Sequence, residues 1–518
     1  MDKIVIFLTF TIFVFAIVVR FLFFPQNIYF GFDQARDAFE SLDIYKNLNF
    51  KIIGPSTAAE NLFHGPLYWY LIGPFYWLSG GNPEISAAFL LFLNALGVFS
   101  IFWIGKTLFN PTTGVFAGFL YAISYEQTQY ALYFGNPAPA VLTVMTFYAG
   151  LAFLVFKKNW IGLPVSLFAL GLSIQFEFFL IYLSFIFVII VVIFKKEIIP
   201  QMTIPRILVS VFSFSVAVST FVLAEIKFGF RTVTTLIETV TSIGRHQQET
   251  SPLFAYWDKL TLHVHDNLVT GREIIQVLVL SVLLFYFSYL ILNKKNNYKQ
   301  ITFLIIWFLS IAFLFLFGIP KLYYSNIGIA PALLLLVAYI ISRIYVSKKP
   351  IAIFFMIVIL VSNLVLISKR NSEGVISDIY VQEGMLLSRE KQALDFIYQQ
   401  ANKKPIVVSA LTMPLKINTT WAYLFNWYGK NKYGYLPYWA GEVAPGFPGF
   451  LPSWKSQEEE YIMFSIIEPT RGVRYAFVEQ YLFEQEQYGK VVEEKVFGDK
   501  SSWLIVQLRE EHPRKYKK

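Results

Sequence analysis

The chain has 518 residues, 56% hydrophobic and only 15% charged, with 54 Phe, 31 Tyr, 11 Trp and a formal net charge of +9. Soluble domains carry about 25% charged residues, and apolar runs of roughly 18 residues mark membrane spans, so the composition excludes an ordinary soluble domain and predicts a polytopic α-helical membrane protein. The absence of cysteine excludes disulfides, thiolate zinc sites and cysteine nucleophiles. Lys and Arg gather in short clusters between the apolar runs, so the positive charge belongs to topology and membrane lipids rather than to nucleic acid.

Read in chain order with a window of about 19 residues, the apolar runs predict about eleven spans. They fall at 4–24, 84–105, 111–126, 136–156, 160–176, 178–194, 206–224, 273–292, 301–318, 326–345 and 350–368. The first run exceeds the roughly 7–15 apolar residues of a signal peptide and lacks a small-x-small cleavage site, so it is expected to remain as a signal anchor. The break near Gln175-Phe176-Glu177 divides two short runs and would also suit a re-entrant hairpin of the same topology. With the N-terminus cytoplasmic, the inner loops carry Lys106, Lys157-Lys158, Lys195-Lys196 with Arg206, Lys294-Lys295 with Lys299, and Arg343 with Lys348-Lys349. The outer loops, chiefly 25–83 and 225–272, are longer and mixed in charge, as the positive-inside rule requires.

That parity sends the segment 369–518 outside, beyond a membrane module 1–368. The segment is polar enough for a separate α/β domain, with an amphipathic helix expected at 388–400 and strands at 405–409, 475–478 and 502–506. No internal repeat is visible.

Several outer segments could carry chemistry. In Asp33-Gln34-Ala35-Arg36-Asp37-Ala38 the carboxylates lie four apart and Arg36 three from Asp33, one face of a helix. Arg36 would keep Asp33 ionised as a base; the same spacing also suits a helix-capping Asp with a surface salt bridge. Downstream, Glu60-Asn61-Leu62-Phe63-His64-Gly65-Pro66-Leu67-Tyr68-Trp69-Tyr70 puts a polar string before aromatics that resemble an interfacial belt, with His64 able to meet a phosphate. Glu126 and Asn136 flank the next outer turn, Asn136 being suited to cap a helix begun by Pro137. Glu177, between apolar runs, is costly unless it faces a cavity or the interface. On the loop 225–272 lie Arg231, Arg245-His246 and His263-x-His265-Asp266, and a later outer turn holds Lys321. Arg245, His246 or Lys321 could neutralise a lipid phosphate. As a strand, His263 and His265 would share a face, but a third ligand is missing, which leaves a divalent metal open and requires no cofactor. No nucleotide loop or hydrolase motif is present.

This order of parts resembles the C-class glycosyltransferases (GT-C fold), most of all the family 39 branch of protein O-mannosyltransferases and aminoarabinose-lipid A transferases. The residues carrying the resemblance are Asp33-Gln34-Ala35-Arg36-Asp37-Ala38 and His64-Gly65-Pro66-Leu67-Tyr68. It covers 1–220 in detail and the remainder in architecture. It implies transfer of a sugar from a polyprenyl-phosphate donor to a protein, lipid or glycan acceptor on the outer face, with inversion and with Asp33 as catalytic carboxylate. Two positions depart from the family pattern: Gln34 stands where Glu commonly follows the Asp, and Asn136-Pro137 where Asp-Pro is frequent. A second carboxylate then comes from Asp37 or Glu126 or is absent, and Glu60, His64, Tyr68, Asn136, Arg245, His246 and Lys321 become substrate-binding candidates.

Three other classes fit less well. A flippase or transporter of lipid-linked sugars would carry ionisable groups mid-span and related halves. An oligosaccharide polymerase or ligase needs no appended α/β domain. A membrane scaffold whose outer domain binds a partner is the non-enzymatic alternative.

Overall fold

The computed structural model describes residues 3–57, 61–231, 234–235, 252–316, 326–376, 382–454, 460–471, 473–498 and 503–511. By internal contacts the chain divides into two compact units, Met1–Leu22 with Phe50–Leu71 and Ala88–Asn371, and Phe23–Asn49 with Ile72–Ala87 and Ser372–Lys518.

The first unit is helical. In hydrocarbon every backbone N–H and C=O must be satisfied within the chain, which leaves helices as the solution for long apolar runs. Six described helices are long and apolar enough to cross a membrane: Lys3–Arg20, Pro83–Leu108, Pro137–Phe156, Glu273–Leu292, Ala330–Ser347 and Lys349–Glu373. Two further pairs are bent at a break, Phe178–Ile193 with Lys195–Gln201 by 80° and Ile204–Ala217 with Ser219–Phe228 by 63°. Three apolar helices are shorter, Pro111–Ile123, Gly162–Phe176 and Tyr298–Leu314.

The expected span 111–126 stops early, at Ile123. Ser124 takes an extended conformation and its hydroxyl accepts the N–H of Gln127, so a new helix, Tyr125–Leu132, starts there and carries Glu126 inside it. Near Glu177 the expected break is present: helix Gly162–Phe176 ends, Glu177 is extended, and a short 3-10 turn, Phe178–Tyr182, follows.

The second unit contains a five-stranded sheet of β1 (Ile406–Leu411), β2 (Tyr438–Trp439), β3 (Ile462–Ile467), β4 (Gly489–Phe497) and β5 (Leu504–Glu511), ordered β2-β1-β3-β5-β4. β1 is parallel to β2 and β3, whereas β5 is antiparallel to β3 and β4. Side chains alternate along a strand, and helices cover both faces of β3. Phe464 meets Phe396 of helix Leu387–Ala401, while Ser465 accepts no such ring and bonds Gln485 of helix Tyr475–Tyr488 at 3.1 Å. The strand expected at 475–478 is therefore a helix. Its four apolar residues have no diagnostic period, and the following Glu-Gln-Tyr-Leu-Phe-Glu-Gln-Glu-Gln run supplies helix formers that continue it.

Candidate active-site residues

In the second unit, Asp33, Arg36 and Asp37 lie on helix Phe32–Asn47. The helix begins where the Gln34 carboxamide accepts the N–H of Gly31 at 3.1 Å. Gln34 thus closes the helix start, and it is buried in doing so. Arg36 donates from Nη1 to Asp33 Oδ1 at 2.6 Å, and from Nη2 and Nε to Asp37 Oδ1 at 2.8 and 3.0 Å. The carboxylates differ sharply in exposure, 57% for the Asp33 side chain and 4% for Asp37. Burial alone would lower the Arg36 guanidinium, but Asp37 and Asp33 outweigh it and hold the cation more firmly than usual. A carboxylate open to solvent is thereby fixed by a cation that is itself anchored by a buried anion.

Beneath this helix the unit buries further acids. Glu468 accepts from Gln382 Nε2 at 3.0 Å, from the Met413 N–H at 2.7 Å and from Trp421 Nε1 at 2.9 Å, yet burial pushes it up to about 7. Glu390 is fully buried with no hydrogen-bond partner for either oxygen among the described residues, and burial followed by Glu468 raises it well above the usual range.

In the first unit, His64 sits on a short looped segment. The Gly54 N–H donates to the His64 carbonyl at 3.0 Å, and the His64 N–H donates to the Pro55 carbonyl at 2.9 Å. The Gly65 N–H donates to the Gln175 carbonyl at 2.9 Å, and a Cβ at Gly65 would displace the end of the Gln175 side chain. His64 thus meets the break beside Glu177. The Phe178 N–H donates to His64 Nδ1 at 3.2 Å, which puts the proton of a neutral ring on Nε2. Glu177 Oε1 is 3.6 Å from Nδ1, beyond hydrogen-bond reach.

His64 also lines a cavity of about 180 Å³ together with Asn61, Glu225, Arg231 and the apolar Phe63 and Phe221. Arg231 thus lines the same cavity as His64, 167 positions away in the chain, which no local pattern announced. Tyr68 is buried in helix Leu67–Leu78. Glu60, Arg245, His246 and Lys321 lie outside the described residues.

A second polar cluster of the first unit surrounds Glu126. His263 Nδ1 and Glu126 Oε2 are 2.8 Å apart, and Asn267 Nδ2 donates to the same oxygen at 2.6 Å. Asn267 Oδ1 in turn accepts from the Ser124 hydroxyl at 2.5 Å. Glu126 Oε1 and His263 Nε2 are buried without hydrogen-bond partners among the described residues. His263 and His265 are on a helix, Pro252–Asn267, rather than on a strand, so two residues of separation turns them to different sides. His265 bonds the adjacent Asp266 at 2.7 Å; burial raises that carboxyl while His265 opposes the rise. Among the described residues, no three His, Cys, Asp or Glu side chains gather as metal ligands. Asn136 stands at the start of helix Pro137–Phe156 but does not cap it. Its φ of −49° is already helical, which turns the side chain away from the free N–H groups, and its Oδ1 has no hydrogen-bond partner among the described residues.

No family model matches the chain, and no curated protein does. Solved structures do. ArnT from Cupriavidus metallidurans bound to undecaprenyl phosphate aligns over 96% of this chain and 97% of its own, with TM-score 0.58 and 12% identity. The apo state of that protein aligns over the same shares with TM-score 0.59 and 13% identity. The chain therefore has the fold of ArnT, a GT-C fold, along nearly its whole length.

Proposed function

We propose that this chain is a membrane glycosyltransferase that moves a sugar from a polyprenyl-phosphate donor to a hydroxyl of a protein, lipid or glycan acceptor on the outer membrane face. The observation that carries the proposal is the Asp33–Arg36–Asp37 arrangement in a chain of ArnT-like fold. The ArnT structure holding undecaprenyl phosphate supports the donor class.

In this reading Asp33 accepts the proton of the acceptor hydroxyl as its oxygen attacks the anomeric carbon. The bond from that carbon to the phosphate oxygen breaks in the same displacement, the configuration inverts, and the polyprenyl phosphate leaves with the electron pair. A phosphate needs no proton to leave if a cation meets its charge. Arg231 and the Nε2–H of His64 are the groups assigned to that phosphate, and the apolar wall of their cavity to the first carbons of the prenyl chain. Arg36 orients Asp33, and Asp37 holds Arg36. Glu126 and Asn136 are assigned to the donor sugar. Residues 369–518 are assigned to the extracytoplasmic side.

Asp33→Asn keeps the shape and removes the base. Purified variant given a polyprenyl-phosphate sugar should lose transfer by at least about a hundredfold while binding donor normally. Unchanged transfer would rule Asp33 out as the base.

A further inference from the structure

Segment 442–450 of the second unit is an exposed loop, Glu-Val-Ala-Pro-Gly-Phe-Pro-Gly-Phe, which the reaction above leaves without a role. It is built rather than loose. The Ala444 N–H donates to the Lys416 carbonyl at 2.8 Å, the Thr419 hydroxyl to the Pro448 carbonyl at 2.7 Å, and Asn426 Nδ2 to the Phe450 carbonyl at 2.9 Å. Gly449 has φ +119°, and a Cβ there would lie 2.9 Å from Ala422 Cβ and 3.4 Å from the ring of Phe39, so this position suits glycine.

At the loop tip, Phe447 packs edge-to-face on Phe32, with ring centroids 5.6 Å apart and planes at 75°. Phe32 begins the helix that bears Asp33. Its ring also carries the Arg36 guanidinium, 5.5 Å from the centroid. A continuous stack therefore runs from Phe447 through Phe32 to Arg36, whose Nη1 holds Asp33. Aromatic edge-to-face and cation–π contacts are directional, so the Phe32 ring can support Arg36 in this rotamer only while its own orientation is fixed. Phe32 is half-buried and sits in the first turn, where the backbone of one helix end restrains it weakly.

We infer that Phe447 is a positioning residue, which holds the Phe32 ring against Arg36 and so fixes the carboxylate of Asp33 for proton abstraction. This rests on the reading of Asp33 as the base. It gives the carboxy-terminal segment a part in the chemistry: its loop closes the far end of the stack that aims the base.

The test has two readouts. Phe447→Ala should lower kcat by about tenfold to a hundredfold, the cost of a small misplacement of a reacting group, while KM for a polyprenyl-phosphate sugar stays within about twofold. Phe447→Tyr, which keeps the ring edge, should restore kcat, and Phe447→Leu, which keeps only apolar bulk, should fall between. Val443→Ala in the same loop should behave as wild type. The second readout needs no substrate: labelling of Arg36 by phenylglyoxal, measured by peptide mass spectrometry, should be faster in Phe447→Ala than in wild type, with the exposed Arg471 as internal reference. Unchanged Arg36 labelling in Phe447→Ala overturns the inference, as does Phe447→Tyr as impaired as Phe447→Ala. Wild-type protein that transfers no sugar overturns the proposed function instead, and the labelling then decides the role of Phe447 alone.

Discussion

Asp33 and Asp37 are the same residue type four positions apart, yet the fold gives them different work. In the proposed reaction, exposure would let Asp33 meet a substrate hydroxyl; burial makes Asp37 an anchor whose loss would strand a cation. The buried acids of the same unit have a consequence of their own. Glu468 keeps its proton up to about pH 7 when folded but releases it near its ordinary value of 4.5 when unfolded. The folded state thus binds more protons between those values, and stability falls as pH rises through that window. The contribution of Glu468 is fully present below pH 4.5 and lower by about 3 kcal/mol above pH 7. Glu390, raised in the same direction, adds to the slope. Thermal unfolding of the purified protein should show a higher midpoint at about pH 5 than at about pH 8. The pair Glu390→Gln with Glu468→Gln should flatten that difference. A wild-type midpoint that rises with pH across this range contradicts the argument.

At the scale of elements, the helix Pro111–Ile123 ends with unpaired carbonyls, as every helix does. Arg20, in the last turn of Lys3–Arg20, supplies the donors. It donates to the carbonyls of Ala122 at 2.7 Å and Tyr121 at 3.1 Å and to Asn94 Oδ1 at 2.9 Å, all buried. Ser124 and Glu126 follow directly, so this cap also sets where the Glu126 helix begins. Arg20→Met should strip the Arg20 bonds from the Ala122 carbonyl and Asn94 Oδ1, at about 1–3 kcal/mol each, while the Tyr121 carbonyl keeps the Ser124 N–H, and should cut the fraction of protein that survives heating in detergent. Arg20→Lys keeps one strong donor and should be intermediate; an Arg20→Met variant as heat-stable as wild type would remove the cap argument. Elements of this kind differ in how far sequence reveals them. Helix Phe32–Asn47 was legible because Asp33, Arg36 and Asp37 have helical spacing, and β1 and β5 because their apolar runs are short and β-branched. The helix at 475–488 was not, since four apolar residues carry no period. His263 and His265 would share a face only on a strand, and their segment is a helix. The partners of Glu126 and Phe32 are His263 and Phe447, contacts over 137 and 415 positions, which local patterns cannot encode.

For the whole molecule, the distribution of charge is the strongest statement about orientation. Every loop expected inside is basic, and the translocation machinery retains such loops in the cytoplasm. With the amino terminus inside, residue 157 then faces the cytoplasm and residue 460 the exterior. The chain contains no cysteine, so single substitutions report position without a background to remove first. Lys157 and Glu460 are both exposed, Glu460 at 87% of its side chain, and a thiol at either position would be reachable from its own side. In intact cells a membrane-impermeant maleimide should label Glu460→Cys at once and Lys157→Cys only after permeabilisation. The reverse pattern would invert the topology, and the proposed chemistry would then face the cytoplasm. Labelling of both before permeabilisation would mean an even number of crossings between them. Only the first outcome gives Asp33 a donor and an acceptor on the outer face, because Asp33 follows the first span on the side opposite to the amino terminus.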